Sequence, residues 1–269
     1  MIDKTKAFKY LGRMTLILVI LIIGWGLLRA CSSNSVNLAD KVYRLARDPL
    51  WSSWQLMDRE TALLAFSDDL VEAIVDSQHL KVDLYSTRAA HLFEGLDEGF
   101  YDVIFATLAP DDGPQESYMF SEPFYLLGPV LIVQASSPIK SLHDLQDKMI
   151  GVSSGNIPDF RLNGYPEHLL ISYDNMVKAL SDLNQGSLDA VVMRMVPAYV
   201  YTTGFFAGRL KVVGRPLNNE GLRAITLRSQ EGAFFIEAFN RGLKELKDQK
   251  MYDHMLAKWG LFNPEITEK

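Results

Sequence analysis

One pattern of nine residues occurs twice, and it constrains the fold more than any other feature of the chain. Leu96-Asp97-Glu98-Gly99-Phe100-Tyr101-Asp102-Val103-Ile104 returns 87 positions later as Leu183-Asn184-Gln185-Gly186-Ser187-Leu188-Asp189-Ala190-Val191. In each copy a helix-compatible segment reaches a Gly, which can close a helix in a left-handed conformation, and an apolar strand-like run follows. Two equivalent helix-turn-strand units predict two lobes of similar build. The residues leaving the two strands then correspond, Ala106-Thr107 in one copy and Met193-Arg194 in the other. Ligands of open α/β sheets lie beyond the carboxyl ends of strands, so these positions are expected to face a cleft.

Around the repeat, strand-like and helix-like segments alternate from residue 41 onward. Val42–Ala46, Leu80–Ser86, Tyr101–Ala106, Pro129–Gln134, Met149–Ser154, His168–Tyr173, Leu188–Met193, Leu210–Gly214 and Leu222–Arg228 are short apolar runs. Several lack polar alternation, as strands covered on both faces do. Between them Phe66, Leu70 and Ile74 share a helical face, as do Met176, Leu180 and Leu183, and then Phe235, Phe239, Leu243 and Leu246. This alternation predicts an α/β protein with mainly parallel sheets.

Composition narrows the chemistry. The chain has 269 residues with 48% hydrophobic, enough for two real cores. A single Cys excludes an internal disulfide framework and a Cys-rich zinc site. A net charge of −6 argues against nucleic acid, which demands a basic face. There is no phosphate loop, no G-x-G-x-x-G after a strand, no H-E-x-x-H and no G-x-S-x-G elbow. The five His are dispersed. The case for an enzyme is therefore weak, and neither a metal nor a cofactor is expected.

The first 30 residues have the organisation of an export signal. Lys4, Lys6, Lys9 and Arg13 precede fifteen uncharged residues, Met14 to Leu28, a length that suits a signal-peptide core and is short for a bilayer span. Leu28-Arg29-Ala30-Cys31 resembles a bacterial lipobox, with Arg29 departing from the usual small or aliphatic residue. The expected organisation is a signal peptide over 1–30, lipidation at Cys31 and a polar tether over 31–40. An uncleaved N-terminal anchor is the alternative, and both place the remaining chain outside the cytoplasmic membrane, in the periplasm or its extracytoplasmic equivalent. Removing 1–30 leaves 22 basic against 32 acidic residues.

Longer segments carry a family resemblance. Phe120-Ser121-Glu122-Pro123-Phe124-Tyr125 resembles the F-S-[DE]-P-Y-Y segment of family 3 extracellular solute-binding proteins, the substrate receptors of polar amino acid ABC importers. Ser137-Pro138-Ile139-Lys140-Ser141-Leu142 with Ile150-Gly151-Val152-Ser153-Ser154-Gly155, Leu183 to Val192, Lys211 to Leu217 and Tyr252 to Gly260 are similar to later segments of that family, in the same order. The resemblance implies a two-lobed periplasmic-binding-protein fold with two crossing hinge strands. Lobe 1 would be 41–127 plus 222–269 and lobe 2 128–221, with crossings near Leu127–Val130 and Pro216–Arg223. It also implies a monomer that takes a small polar solute and meets an ABC permease and its ATPase.

The family's ligand anchors transfer incompletely. Its first lobe supplies an Arg for the ligand carboxylate, but Pro114 stands at that place, and no Arg or Lys lies between Thr107 and Glu122. Its second lobe supplies an Asp two residues after D-A-V-V for the ligand ammonium, where this chain has Arg194. A guanidinium there repels an ammonium. Three readings stay open: reversed polarity, with Arg194 on an anionic group and Asp111 or Asp112 on a cationic one; an anionic or uncharged solute; or a site that has lost its original ligand, with Arg194 pointing at solvent or an internal carboxylate. By position, the ligand-binding candidates are Trp51, Thr107, Ala109 and Asp111 in the first lobe and Ser154, Asn156 and Arg194 in the second. Two other functions also fit: a sensor or partner-binding module on the same fold, and a periplasmic dehydratase-like enzyme with Glu122 or Asp111 as its acid.

Overall fold

The computed structural model describes residues 40–49, 56–107, 116–154 and 169–263. The expected signal peptide, Cys31 and nearly all of the expected tether lie outside them, as do Trp51, Ala109, Asp111 and Asn156. The chain divides into Met1–Lys41 and a compact body, Val42–Lys269, which carries both sheets.

The first sheet contains β1 (Val42–Arg47), β2 (Lys81–Ser86), β3 (Val103–Ala106), β4 (Tyr118–Phe120), β5 (Tyr125–Leu126) and β11 (Gly221–Leu227). Their order is β2-β1-β3-β11-β4, with β5 also paired to β11. The second contains β6 (Pro129–Gln134), β7 (Ile150–Ser153), β8 (Leu170–Tyr173), β9 (Ala190–Arg194) and β10 (Leu210–Val213), ordered β10-β6-β9-β7-β8. Three strands in each sheet run parallel, β2-β1-β3 and β8-β7-β9. The strand that enters or leaves by a crossing then adds antiparallel pairings: β11 on β3 and β6 on β9. Each sheet is therefore mixed, because a chain returning from the other lobe arrives in the opposite direction.

All nine expected strands form. Strands β4 and β5 are additional, and they frame the Phe120–Tyr125 segment. Strand β2, at the edge of its sheet, is almost wholly exposed.

Helix α1 (Glu60–Gln78) buries Leu63, Phe66, Leu70 and Ile74 and stops at His79, whose φ of 54° is left-handed. After α2 (Leu92–Asp97), α3 (Met176–Asn184) is capped by Asn175 Oδ1, which accepts from Val177 N–H at 2.9 Å. Helix α4 (Met195–Thr203) follows β9 directly. Helix α5 (Gln230–Asp248) starts at Ser229, whose Oγ accepts from Gly232 N–H at 3.0 Å, and buries Phe235, Phe239, Leu243 and Leu246. Helix α6 (Met251–Lys258) closes the first lobe against α1 and α5.

The chain passes from the first sheet to the second after Leu126 and returns after Val213. These crossings are bonded to each other: Leu127 and Gly128 N–H donate to Glu220 O at 2.8 and 3.1 Å, and Leu217 N–H donates to Pro129 O at 2.7 Å. A continuous buried cluster runs from Phe66, Phe105 and Phe239 through Tyr125, Leu127 and Val130 to Met193, Met195 and Phe206. Each such side chain contributes about 1.5–3 kcal/mol by burial, so the crossings are packed core as well as connectors. Beyond α6, Phe262 stacks on Tyr199 of α4 at 4.7 Å and 15°, with the Arg59 guanidinium 4.9 Å from the ring centroid.

Candidate functional site

The repeat places the site. Both Gly residues adopt positive φ, 74° at Gly99 and 83° at Gly186. Their N–H groups close the preceding helices on Leu96 O at 3.2 Å and Leu183 O at 3.0 Å. The chain then turns into β3 and β9, each bounded on one side by a parallel partner and on the other by an antiparallel crossing strand. Thr107, half-buried, leaves the carboxyl end of β3, and Arg194 is the last residue of β9. Equivalent positions of the two copies therefore end at equivalent places in the two sheets.

Arg194 pairs in register with Pro129, the first residue of β6, so it stands where the first crossing lands. Its Nη1 lies 3.5 Å from Glu220 Oε1, and 41% of the Arg194 side chain and 26% of the Glu220 side chain are exposed. Glu220 belongs to the second crossing. The guanidinium thus stands beside an internal carboxylate, as one of the three open readings of Arg194 has it, and the fold identifies that carboxylate as Glu220. Its sequence signal is slight: one acid in Asn218-Asn219-Glu220-Gly221.

Ser154 follows β7 and is exposed. Its N–H donates to Tyr173 O at 3.2 Å, which leaves the hydroxyl as the group it can offer a solute.

The first lobe carries two arginines that sequence reasoning also missed. Arg47 ends β1, is buried, and its Nη2 lies 2.5 Å from Asp68 Oδ1 of α1. Arg223 pairs in register with Ala106 and is buried, donating from Nη1 to Ser121 O and from Nη2 to Asn219 O, both at 2.8 Å. Both guanidiniums are committed to internal acceptors, so neither simply replaces the family's carboxylate-binding Arg. Tyr125, in the hinge, is buried against Phe66 at 5.9 Å, and burial pushes its hydroxyl pKa well above the ordinary tyrosine value.

Three cavities among the described residues lie elsewhere. One of about 760 Å³ sits between α1, α5 and α6, and one of about 650 Å³ lies between α5 and the second crossing. The third, of about 370 Å³, borders α4 and β10. None is lined by Thr107, Ser154 or Arg194. Residues 50–55, 108–115 and 155–168, which follow β1, β3 and β7 in the chain, lie outside the described residues. Among the described residues no group of His, Cys, Asp or Glu is placed to hold a metal ion, and no helix is long and apolar enough to cross a membrane.

Comparison with known proteins agrees with this architecture. Residues 44–262 match the family described as bacterial extracellular solute-binding proteins, family 3. A probable histidine-binding protein of Neisseria gonorrhoeae is 24% identical over 242 residues, covering 86% of this chain and 90% of that protein. The lysine/arginine/ornithine-binding periplasmic protein of Escherichia coli is 26% identical over 249 residues, covering 86% and 92%. The fold resembles the unliganded, open L-cystine solute receptor of N. gonorrhoeae, with a TM-score of 0.61 and 21% identity over 88% of this chain and all (100%) of that one. It also resembles a polar amino acid ABC uptake transporter substrate-binding protein of Streptococcus thermophilus, with a TM-score of 0.60 and 22% identity over 87% and 91%.

Proposed function

The chain belongs to the bacterial extracellular solute-binding proteins of family 3, and from that premise we propose that it captures an amino acid or amino-acid-like solute and delivers it to an ABC permease. The work is binding, not covalent chemistry. A solute shifts the hinge only by its differential affinity for the closed arrangement. The solute seat lies between Thr107 of lobe 1 and Ser154 and Arg194 of lobe 2, with Trp51, Ala109, Asp111 and Asn156 as its further contacts. Lobe 1 takes 41–127 and 222–269, and lobe 2 takes 128–221.

The observation that carries this reading is the position of Arg194. It ends the strand equivalent to β3, beside the first crossing, with a partly exposed side chain. A carboxylate is its natural partner, through charge-assisted and, for a planar fork, bidentate bonds. The test is thermal unfolding of the purified protein against the twenty amino acids, dipeptides, dicarboxylates and polyamines. A solute at about 100 times its Kd adds about 2.7 kcal/mol. Arg194→Ala should abolish that gain while leaving the solute-free protein about as stable. Unchanged stabilisation in the variant removes Arg194 from the seat.

The N-terminus supports a tethered protein. The basic cluster, the apolar run and Leu28-Arg29-Ala30-Cys31 fit a cleaved lipoprotein signal with the acyl chains on Cys31. Mass spectrometry of the N-terminal peptide should find the chain beginning at Cys31 with the lipid mass on it, and Cys31→Ser should remove that mass. A wild-type chain that keeps residues 1–30 would instead be anchored by the uncleaved apolar segment.

A further inference from the structure

Arg194 alone accounts for only half of an amino acid, since it attracts the carboxylate and repels the ammonium. The missing charge lies on the second crossing. Glu220 is held there by its backbone: its carbonyl accepts from Leu127 N–H at 2.8 Å and Gly128 N–H at 3.1 Å, and its own N–H donates to Asn218 Oδ1 at 3.1 Å. From this anchored position its Oε1 comes within 3.5 Å of Arg194 Nη1.

We propose that Glu220 receives the cationic group of the solute and forms, with Arg194, a two-charge seat selective for zwitterions. The inference rests on the solute-binding reading above. A guanidinium carries five N–H donors and a carboxylate two acceptor oxygens, so each has the valence to hold its neighbour and a solute group together. With the solute carboxylate on Arg194 and its ammonium on Glu220, the four charges alternate in sign around the seat and every adjacent pair attracts. An anion without an ammonium meets the carboxylate uncompensated and is disfavoured.

The same contact admits an opposite reading, in which Glu220 imitates a solute carboxylate on Arg194 and competes with it. The two differ in sign. The experiment is isothermal titration of wild type, Glu220→Gln and Glu220→Asp with the twenty L-amino acids, and with the deaminated acid of whichever amino acid binds. Gln keeps the size and the acceptor toward Arg194 but loses the charge. Glu220→Gln is expected to weaken amino acid binding by about tenfold or more, which is about 1.4 kcal/mol. It should also erase most of the preference for the amino acid over its deaminated acid, and Glu220→Asp should recover part of both. Amino acid binding that is unchanged or tighter in Glu220→Gln overturns the assignment of Glu220 while leaving the solute-binding reading intact. No amino acid binding by the wild-type protein overturns both.

Discussion

Asp102 and Asp189 stand 87 positions apart and make the same reciprocal bonds in different sheets. Asp102 Oδ2 accepts from Arg44 N–H at 2.9 Å while its own N–H donates to Arg44 O at 2.9 Å. Asp189 Oδ2 accepts from Met149 N–H at 2.9 Å while its own N–H donates to Met149 O at 2.9 Å. Each aspartate thus ties the start of its strand to the start of the neighbouring parallel strand. Each carboxylate also meets a cation, Arg44 Nε at 2.9 Å and Lys148 Nζ at 3.4 Å. The Asp of the repeated pattern is there for register: it fixes the strand whose far end carries Thr107 in one lobe and Arg194 in the other.

Removing these clamps should destabilise both lobes, and unequally. Asp102 additionally holds Arg44 Nη2 at 3.1 Å in a partly buried fork, whereas the Met149 bond is exposed. Asp102→Ala is expected to cost about 2 kcal/mol and Asp189→Ala about 1 kcal/mol. Denaturant unfolding measures both. Equal or inverted costs would mean that the repeated aspartates do not share one structural task.

Two buried tyrosines should respond to loss of the hydroxyl with opposite signs. Tyr252 OH donates to Phe124 O at 2.8 Å. Among the described residues, the buried Tyr125 OH has no hydrogen-bond partner. Tyr252→Phe is expected to cost about 1 kcal/mol, while Tyr125→Phe should be neutral or stabilise by up to about 1 kcal/mol, since it deletes a desolvated polar group. Melting temperatures of the two variants decide this. A large loss in Tyr125→Phe would assign its hydroxyl a partner or a role in the cleft.

Much of this architecture is legible in the residues. The nine longer strands announce themselves as apolar runs because most are buried, and Gly99 and Gly186 mark helix ends because positive φ favours Gly. What escapes has physical causes. Strands β4 and β5, of three and two residues, are too short to show a period. An apolar run reads alike at a sheet edge and at its centre, so the exposure of β2 is invisible. Arg47 and Arg223 read as surface residues, since only the fold supplies Asp68, Ser121 O and Asn219 O to pair them. Glu220 lies in an irregular crossing, where no periodicity states which way a side chain faces. Arg194 was visible by its place in the repeat, but its neighbour was not.

The hinge itself should be intolerant of a single methyl group. At Gly221 an added Cβ would lie 2.6 Å from Tyr125 O and 3.0 Å from Leu126 Cα, both backbone atoms that cannot swing aside. Gly221→Ala is therefore expected to cost about 1–3 kcal/mol by overpacking. At Gly128 the 2.2 Å contact is with Asn218 Oδ1, the end of a side chain, although Asn218 O is also at 3.0 Å. Gly128→Ala should cost less, and should chiefly release Asn218 from Glu220 N–H. Unfolding free energies of the two variants would show the order, and a Gly221→Ala protein as stable as wild type would mean that the crossings are looser than this packing.

The tie between α1 and α6 should make stability depend on pH in a defined direction. Asp69 Oδ2 accepts from Lys258 Nζ at 2.6 Å and from Trp259 Nε1 at 2.8 Å. Burial pushes the Asp69 pKa up, but these two bonds and the Lys258 charge outweigh it and hold the group below the usual carboxylate range. A carboxylate with a lowered folded pKa contributes stability that is fully present above its unfolded value of about 3.9 and lost as pH falls through the folded value. Asp69→Asn removes the charge at every pH, so it should be about 1 kcal/mol less stable than wild type at neutral pH. The gap should close as the medium is acidified below about pH 4, where the wild-type carboxylate takes up its proton. Denaturant unfolding of both proteins across pH 7 to 3 measures the gap directly. A difference that stays constant to the acidic limit would show that Asp69 acts by shape and not by charge.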